Sequence, residues 1–249
     1  MRTAQSCCSL CLCVSVVKEV ALQPPNPEWS KYELPPLPEL GEPADWNALF
    51  GRPGPLIVEI GCGGGRTLIG MALARPAENF LAVERAGEYY RVLRERVTRR
   101  ALRNVRVTRV EAEYLLSRLF PDECVREYHV YFPDPWPKRR HHKRRLFTSE
   151  FCANLRRTLI PGGVLFLATD HLDYYREVLP RLQAVVAVQE HPGPWEDAPL
   201  GRTNYEVKYL KEGRPIYRLV GTKGARGEGR GARDPFHKSH CSHSSHSTS

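Results

Sequence analysis

The sequence lacks any uninterrupted apolar run of about 18 residues, the length that a membrane-spanning helix requires, so we expect no membrane span. It also lacks the cysteine spacing of a disulfide scaffold or a zinc finger. Four of its eight cysteines crowd positions 7–13, and no second pair follows the lone CxxC of Cys8 and Cys11. This pattern argues against a secreted, disulfide-stapled fold and a structural metal site, and it favours a cytoplasmic protein that binds no metal.

Two nucleotide-binding signatures are also missing. After the apolar segment 56–60 the chain continues as GCGGGR, so Arg66 stands where a dinucleotide-binding GxGxxG turn needs its last glycine. No GK[ST] sequence follows, which excludes a P-loop. The glycine-rich turn therefore fits neither class of pyrophosphate-binding loop.

The composition predicts one domain flanked by non-core segments, without internal repeats. Residues 1–23 are expected to be an unstructured or misassigned start, with a weak export signal left open. Residues 24–54 form a proline-rich arm, 55–220 the main domain, and 221–249 a disordered tail rich in glycine, arginine, histidine and serine. Histidines recur every three residues in that tail, and we favour disorder there over a loose metal site.

Short apolar runs alternate with helix-like segments throughout the main domain. Strands are predicted at 56–60, 80–84, 106–110, 128–132 and 164–170. Helices are predicted at 67–74, 88–100, 113–119, 149–160 and 173–182. This order implies an α/β fold with a mostly parallel sheet and helices on both faces. Segments 205–211 and 216–220 flank EGRP and predict a closing antiparallel hairpin.

Positive charge is concentrated in the segment KRRHHKRR at 138–145. The chain carries a formal charge of +9, and this segment contributes six of its positive charges. A local basic patch is typical of a nucleic-acid or other phosphate-bearing partner. A solvated basic loop and a nuclear-type address are the alternatives, and the position after a strand, inside the domain, disfavours the address.

Acidic residues stand at three predicted strand ends, where ligands bind in open α/β sheets. The EIGCGGG segment combines Glu59 with Gly61, Gly63 and Gly65, and this ExGxGxG pattern resembles the first motif of Rossmann-like S-adenosylmethionine methyltransferases. Glu84 follows the second strand, where a carboxylate can accept hydrogen bonds from ribose hydroxyls. Glu111 follows the third strand, where an acidic residue often contacts the adenine amino group.

Three further segments resemble one family. FPDPWPKRRHHKRRL at 132–146, ATD at 168–170 and TNYEVK at 203–208 closely resemble the bacterial-type tRNA (guanine-N7-)-methyltransferases. The match covers about 55–220. The resemblance implies a Rossmann-like methyltransferase fold, S-adenosylmethionine as methyl donor, and transfer RNA as partner. The implied acceptor is N7 of a guanosine in the variable loop.

The resemblance also implies roles for individual residues. The methyl donor would be held by Glu59, Gly61, Gly63, Gly65, Glu84, Glu111 and Asp134, with Asp134 also catalytic. The target nucleotide would be contacted by Lys138, Asp170, Thr203, Asn204, Tyr205 and Glu206. The RNA backbone would be contacted by Arg140, His141, His142, Lys143, Arg144 and Arg145. One departure is Glu111, which stands where the family usually has aspartate.

The chemistry of the acceptor fits these residue types. Guanine N7 has a free lone pair, so no base has to remove a proton first, and His141 and His142 are better placed on an RNA surface than in catalysis. Glu206 is suited to accept the guanine N1–H and amino protons. Two alternatives stay open: the same fold acting on another RNA position or a protein, and a noncatalytic RNA-binding module. We expect a monomer or homodimer with no obligatory protein partner.

Overall fold

The computed structural model describes residues 29–36, 42–193, 195 and 203–225. The predictions for the cysteine-rich start and for the histidine-rich tail lie outside these residues. Within them, no helix is both long enough and apolar enough to cross a membrane.

A seven-stranded sheet in the order β3-β2-β1-β4-β5-β7-β6 forms the centre of the fold. The strands are β1 Leu56–Ile60, β2 Asn79–Val83, β3 Val105–Thr108, β4 Val125–Tyr131, β5 Leu159–Thr169, β6 Ala187–Glu190 and β7 Tyr217–Thr222. The first five are parallel, and β7 runs antiparallel to both β5 and β6. The prediction of an α/β, mostly parallel sheet with a C-terminal antiparallel element is confirmed.

A helix follows each of the five parallel strands, as the alternation predicts. The α-helices of the described residues are α1 Trp46–Phe50, α2 Arg66–Ala74, α3 Gly87–Arg99, α4 Ala112–Tyr114, α5 Ser149–Thr158, α6 Leu172–Gln183 and α7 Asn204–Lys211. A π-helical turn, Leu115–Leu119, continues α4. The fully buried strands β1 and β2 are apolar on both faces, apart from Glu59 and Asn79, because helices cover both. All five predicted strands and all five predicted helices are present, with shifts at their ends.

The hairpin prediction is wrong in one strand. Residues 205–211 lie in α7, and β7 pairs instead with β6, a strand that the sequence patterns did not indicate. The reason is local: the Thr203 hydroxyl accepts a hydrogen bond from the Glu206 backbone N–H at 3.0 Å, which caps the helix. A Thr-x-x-Glu sequence is a helix-start signature, and here it outweighed the apparent strand pattern.

The core begins before the main domain predicted from composition. Trp46 and Phe50 of α1 are buried in the core, and the Trp46 ring lies 4.8 Å from that of Phe120. Farther upstream, Tyr32 and Leu34 exchange backbone hydrogen bonds with Val107 at 2.7 and 3.1 Å. This extended segment therefore covers the edge strand β3, whose backbone groups would otherwise lack partners.

Candidate active site

The turn after β1 is shaped by glycines and packed against α3. Gly65 has a φ of +73°, and a side-chain Cβ there would lie 2.2 Å from the Leu93 Cδ1 atom. The Arg96 guanidinium donates a hydrogen bond to the Gly64 carbonyl at 2.7 Å. Only glycine at position 65 allows α3 to approach this closely, so the turn is fixed against the helix.

The other side of the turn is open. Ideal Cβ atoms built on Gly61 and Gly63 meet no described atom within 4 Å. Because both residues lie at the carboxyl end of β1, a ligand at this edge can approach the backbone directly. The turn therefore has one face packed against α3 and another free for a ligand.

Glu59 lies at the end of β1, just before this turn, and one oxygen of its carboxyl group lacks a hydrogen-bond partner among the described residues. The residue is 3% exposed, and its Oε2 atom has no hydrogen-bond partner among the described residues. Burial raises the pKa of Glu59 to about 8, against a lowering by the Leu68 backbone N–H and a further rise from the charge of Glu84. A buried polar atom without a partner costs free energy, and a ligand with a positive or hydrogen-donating group would satisfy it.

Because of Glu59, the folding stability of the protein should depend on pH in a way that can be measured. Its folded pKa lies above the ordinary value of 4.5, so its contribution to stability is full below pH 4.5 and is lost as pH rises to about 8. The slope for one such group is about 1.4 kcal/mol per pH unit. We expect the free energy of unfolding of the Glu59→Gln variant, relative to that of the wild type, to increase by roughly 2 kcal/mol between pH 6 and pH 8. Urea unfolding of both proteins at each pH measures this. A constant difference across the range would contradict it.

Glu84 joins the turn to the start of α3. Its carboxylate accepts hydrogen bonds from the backbone N–H groups of Gly63 and Ala86, both at 2.7 Å. Each carboxylate oxygen retains a second acceptor site. Glu84 therefore holds the glycine-rich turn in place and, although it is buried, keeps one free acceptor site on each oxygen. Glu111 lies farther out, exposed and 3.5 Å from Arg85.

The FPDPWP segment after β4 forms a strained loop. Phe132 and Trp136 have φ values of +53° and +42°, which non-glycine residues rarely adopt. Asp134, between them, is exposed. Strain of this kind persists only where surrounding contacts enforce it, and it clusters at functional sites.

Arg145 supplies those contacts, which corrects its predicted place on the RNA surface. It is 5% exposed, ion-pairs with Glu177, and donates a hydrogen bond to the Pro135 carbonyl at 2.8 Å. Its guanidinium also lies 5.1 Å from the centre of the Tyr174 ring. Arg145 thus stabilises the loop that presents Asp134.

The rest of the basic segment lies on the surface. Residues Arg139–Arg144 form a 3-10 helix, and the cations Lys138, Arg140, Lys143 and Arg144 are exposed. His141 and His142 are partly buried. The Trp136 ring packs 4.9 Å from the Arg144 guanidinium and 5.7 Å from His141. The indole therefore packs against this helix rather than standing free.

Helix α7 brings the last predicted residues to the same edge. The Asn204 side chain accepts a hydrogen bond from Arg66 of α2 at 3.1 Å, and the Tyr205 ring lies 6.1 Å from Phe132. Glu206 is 2% exposed and ion-pairs with Arg218 of β7. One oxygen of the carboxylate that was predicted to bind guanine is therefore held by an arginine here. Asp170 pairs with Arg214 at 3.1 Å.

Two tyrosines connect the two sides of the site. Tyr89, in the first turn of α3, shares a hydrogen bond with Tyr205, whose pKa is also raised by the charge of Asp134 after the larger effect of burial. Glu59 and Glu84 act electrostatically on each other on the opposite side. Glu59, Glu84 and the Asp134 loop therefore lie at the carboxyl ends of adjacent parallel strands, at one edge of the sheet.

Sequence patterns did not identify several residues of the candidate active site. Tyr89, Arg66 and Arg218 lie in a helix or strand whose pattern indicates only packing or solvent exposure. A polar row on β4 was also missed: Glu127, His129 and Tyr131 are linked by hydrogen bonds of 3.2 and 2.8 Å. Their alternate spacing places them on one sheet face, and this is the one signal that the sequence offered.

The chain is similar to known methyltransferases. Residues 53–219 match a family model described as "Putative methyltransferase". The tRNA (guanine-N(7)-)-methyltransferase of Bordetella pertussis is 38% identical over 76% of this chain and 74% of its own length. That of Geobacter metallireducens is 37% identical over 76% of this chain and 92% of its own.

Solved structures support the fold. The 16S rRNA methyltransferase KamB superposes with a TM-score of 0.54 at 16% identity, covering 72% of this chain and 92% of its own. At that identity the likeness concerns the fold alone. The family follows from the family model and the relatives above: the chain belongs to the tRNA (guanine-N(7)-)-methyltransferase family.

Proposed function

We propose that this protein transfers the methyl group of S-adenosylmethionine to N7 of a guanosine in the variable loop of transfer RNA. The observation that supports it most is the placement of Asp134. Its strained loop follows β4, which pairs in parallel with β1, so the loop lies at the same edge of the sheet as Glu59, and it is continuous with an exposed cationic helix. This arrangement would put a methyl-donor site, a reactive loop and an RNA-binding surface side by side.

The residues present fit this methyl donor. Bound S-adenosylmethionine supplies a methyl group on a positively charged sulfur. The open glycine turn admits a ligand close to the backbone, and the unpartnered Oε2 of Glu59 can accept a hydrogen bond from an ammonium group. The free acceptor sites of Glu84 suit ribose hydroxyls. Glu111, exposed after the neighbouring strand β3, is the proposed contact to the adenine.

Methylation of guanine N7 requires that this atom is positioned correctly and does not require proton transfer. Guanine N7 carries a lone pair, so the protein must hold that atom in line with the methyl group. Alignment of this kind is worth about 7–11 kcal/mol in well-oriented reactions. Positive charge develops on the purine as the bond forms, and the Asp134 carboxylate can stabilise it. Lys138, Asp170, Thr203, Asn204 and Tyr205 are the proposed nucleotide contacts.

Glu206 is a proposed contact to guanine only under one condition. Its carboxylate is held by Arg218, so it would contact guanine only through an oxygen that the arginine leaves free. Arg140, His141, His142, Lys143 and Arg144 remain the proposed contacts to the RNA backbone. Such contacts position the RNA without reading its sequence.

A direct experiment tests the function. The protein is incubated with methyl-labelled S-adenosylmethionine and unmodified bulk transfer RNA, and the RNA is digested to nucleosides. We expect label in 7-methylguanosine, mapped to the variable loop. Label in another nucleoside would indicate a different acceptor, and methyl-donor binding without transfer would favour a noncatalytic RNA-binding module. We also infer a cytoplasmic location, where transfer RNA is available, and a monomer or homodimer.

A further inference from the structure

Three aromatic rings pack together beside Asp134. The Phe132 ring lies 5.3 Å from that of Tyr209 and 6.1 Å from that of Tyr205, and the two tyrosine rings are 5.8 Å apart. Phe132 begins the FPDPWP segment, whereas both tyrosines lie in α7. Separations of this size are those of aromatic rings in contact. We call Phe132, Tyr205 and Tyr209 the aromatic patch.

Tyr205 is the exposed member of the aromatic patch. It is 45% exposed, although its ring contacts the other two and its hydroxyl shares a hydrogen bond with Tyr89. The next residue before it, Asn204, is bonded to Arg66 of α2 at 3.1 Å. Tyr205 is therefore held from several sides and still has ring surface available to a ligand.

The cations that contact the aromatic patch are compensated by carboxylates. The Arg214 guanidinium lies 4.7 Å from the centre of the Tyr209 ring and pairs with Asp170 at 3.1 Å and with Glu212 at 2.7 Å. The Lys208 ammonium, 6.0 Å from the same ring, also pairs with Glu212, at 3.9 Å. These cations therefore oppose the binding of a positively charged ligand less than free cations would.

The carboxylate beside Tyr205 has no such partner. Asp134 takes part in no ion pair among the described residues. The pKa of Tyr205 is raised above its usual value, by burial first and in smaller part by the nearby charge of Asp134. The exposed ring of Tyr205 and an unpaired negative charge therefore lie near each other, which is a combination that suits a flat, positively charged group.

The proposed reaction turns a neutral base into such a group. The N7 lone pair of guanine forms the new bond to the methyl carbon, and the bond from that carbon to sulfur breaks with its electron pair left on sulfur. The positive charge thus passes from sulfur to the purine ring. An aromatic face attracts a cationic ring more strongly than a neutral one, so a contact with this face strengthens as the reaction proceeds.

We propose that the target guanine stacks on the exposed ring of Tyr205 and that this ring stabilises the positive charge that methylation creates. The inference rests on the proposed function and deepens it, because it gives Tyr205 a part in the chemical step as well as in binding. Proteins commonly hold unpaired RNA bases by stacking them on aromatic side chains. The contact of Phe132 with Tyr205 also ties the position of this ring to the loop that carries Asp134.

Two variants of Tyr205 test the proposal. Tyr205→Leu removes the aromatic face, whereas Tyr205→Phe keeps the face and removes only the hydroxyl that bonds to Tyr89. Filter binding compares unmodified transfer RNA with the same RNA carrying 7-methylguanosine, both with S-adenosylhomocysteine present. We expect the ratio of the two Kd values to shift about fivefold against the methylated RNA in Tyr205→Leu and to stay within about twofold of wild type in Tyr205→Phe. The single-turnover rate at saturating RNA should fall about three- to tenfold in Tyr205→Leu alone.

Leu210→Ala is the matched control. Leu210 is exposed on the same helix and takes part in none of these ring contacts, so its variant should keep the wild-type ratio and rate. A Kd for S-adenosylmethionine within about twofold of wild type shows that each variant is folded. An unchanged ratio in Tyr205→Leu, or an equal change in Tyr205→Phe or in the control, overturns the proposal. Weaker binding of S-adenosylmethionine by Tyr205→Leu, with the ratio unchanged, would also overturn it and assign the ring to the methyl donor.

Failure of this proposal can be told apart from failure of the proposed function. Label in 7-methylguanosine together with an unchanged ratio would overturn the stacking on Tyr205 and leave the proposed function standing. Label only in another nucleoside would overturn the proposed function itself, whatever the ratios are.

Discussion

Replacement of Asp134 by asparagine is expected to lower kcat for transfer-RNA methylation by on the order of 10²-fold or more, while the affinity for RNA changes little. Loss of one preorganised electrostatic group at a reacting centre has an effect of this size. Asparagine keeps the shape of the side chain and removes its charge. The FPDPWP loop is held by Arg145 through backbone carbonyls, so its conformation does not depend on the carboxylate.

Asp122→Asn is the matched control for this prediction. Asp122 is exposed and precedes β4, at the opposite end of that strand from the FPDPWP loop, so its variant should keep wild-type kcat. Single-turnover rates with excess enzyme, together with RNA and methyl-donor affinities, separate chemistry from binding. Full turnover by Asp134→Asn would remove Asp134 from the mechanism. Equal loss of RNA affinity would assign it to binding instead.

Much of the fold and one side of the site could be predicted because the signals are local. β1 and β2 are short apolar runs that end in a glycine turn or an acidic residue, and parallel strands place their carboxyl ends at one edge. That geometry is enough to bring Glu59 and Glu84 together without any knowledge of packing. The Asp134 loop joins them for the same reason, since β4 lies next to β1.

The parts that could not be predicted depend on contacts between distant segments. Arg145 looks like its neighbours in a basic run, and only the positions of Glu177 and Pro135 show that it is buried. Glu206 pairs with Arg218 because β7 inserts between β5 and β6, an order that no local pattern specifies. Side-chain roles at the cleft thus follow from the topology of the last two strands.

The buried Glu206–Arg218 pair leads to the second large effect. Glu206→Gln keeps the shape but leaves the Arg218 charge buried and uncompensated, which typically costs about 3–5 kcal/mol. For a domain of this size we expect a fall in Tm of roughly 6–20 °C. Thermal and urea unfolding measure it. Glu212→Gln, at an exposed pair on the end of the same helix, should cost less than about 1 kcal/mol.

A double variant distinguishes this structural role from guanine recognition. Glu206→Gln combined with Arg218→Met removes both charges, so most of the lost stability should return, with a coupling energy of about 1–3 kcal/mol. If Glu206 also contacts guanine, this stable double variant will still show a raised KM for transfer RNA. Wild-type stability of Glu206→Gln together with lost activity would instead show that its main partner is the nucleotide. The carboxylate would then have to leave Arg218 when RNA binds, and α7 would be the element that moves.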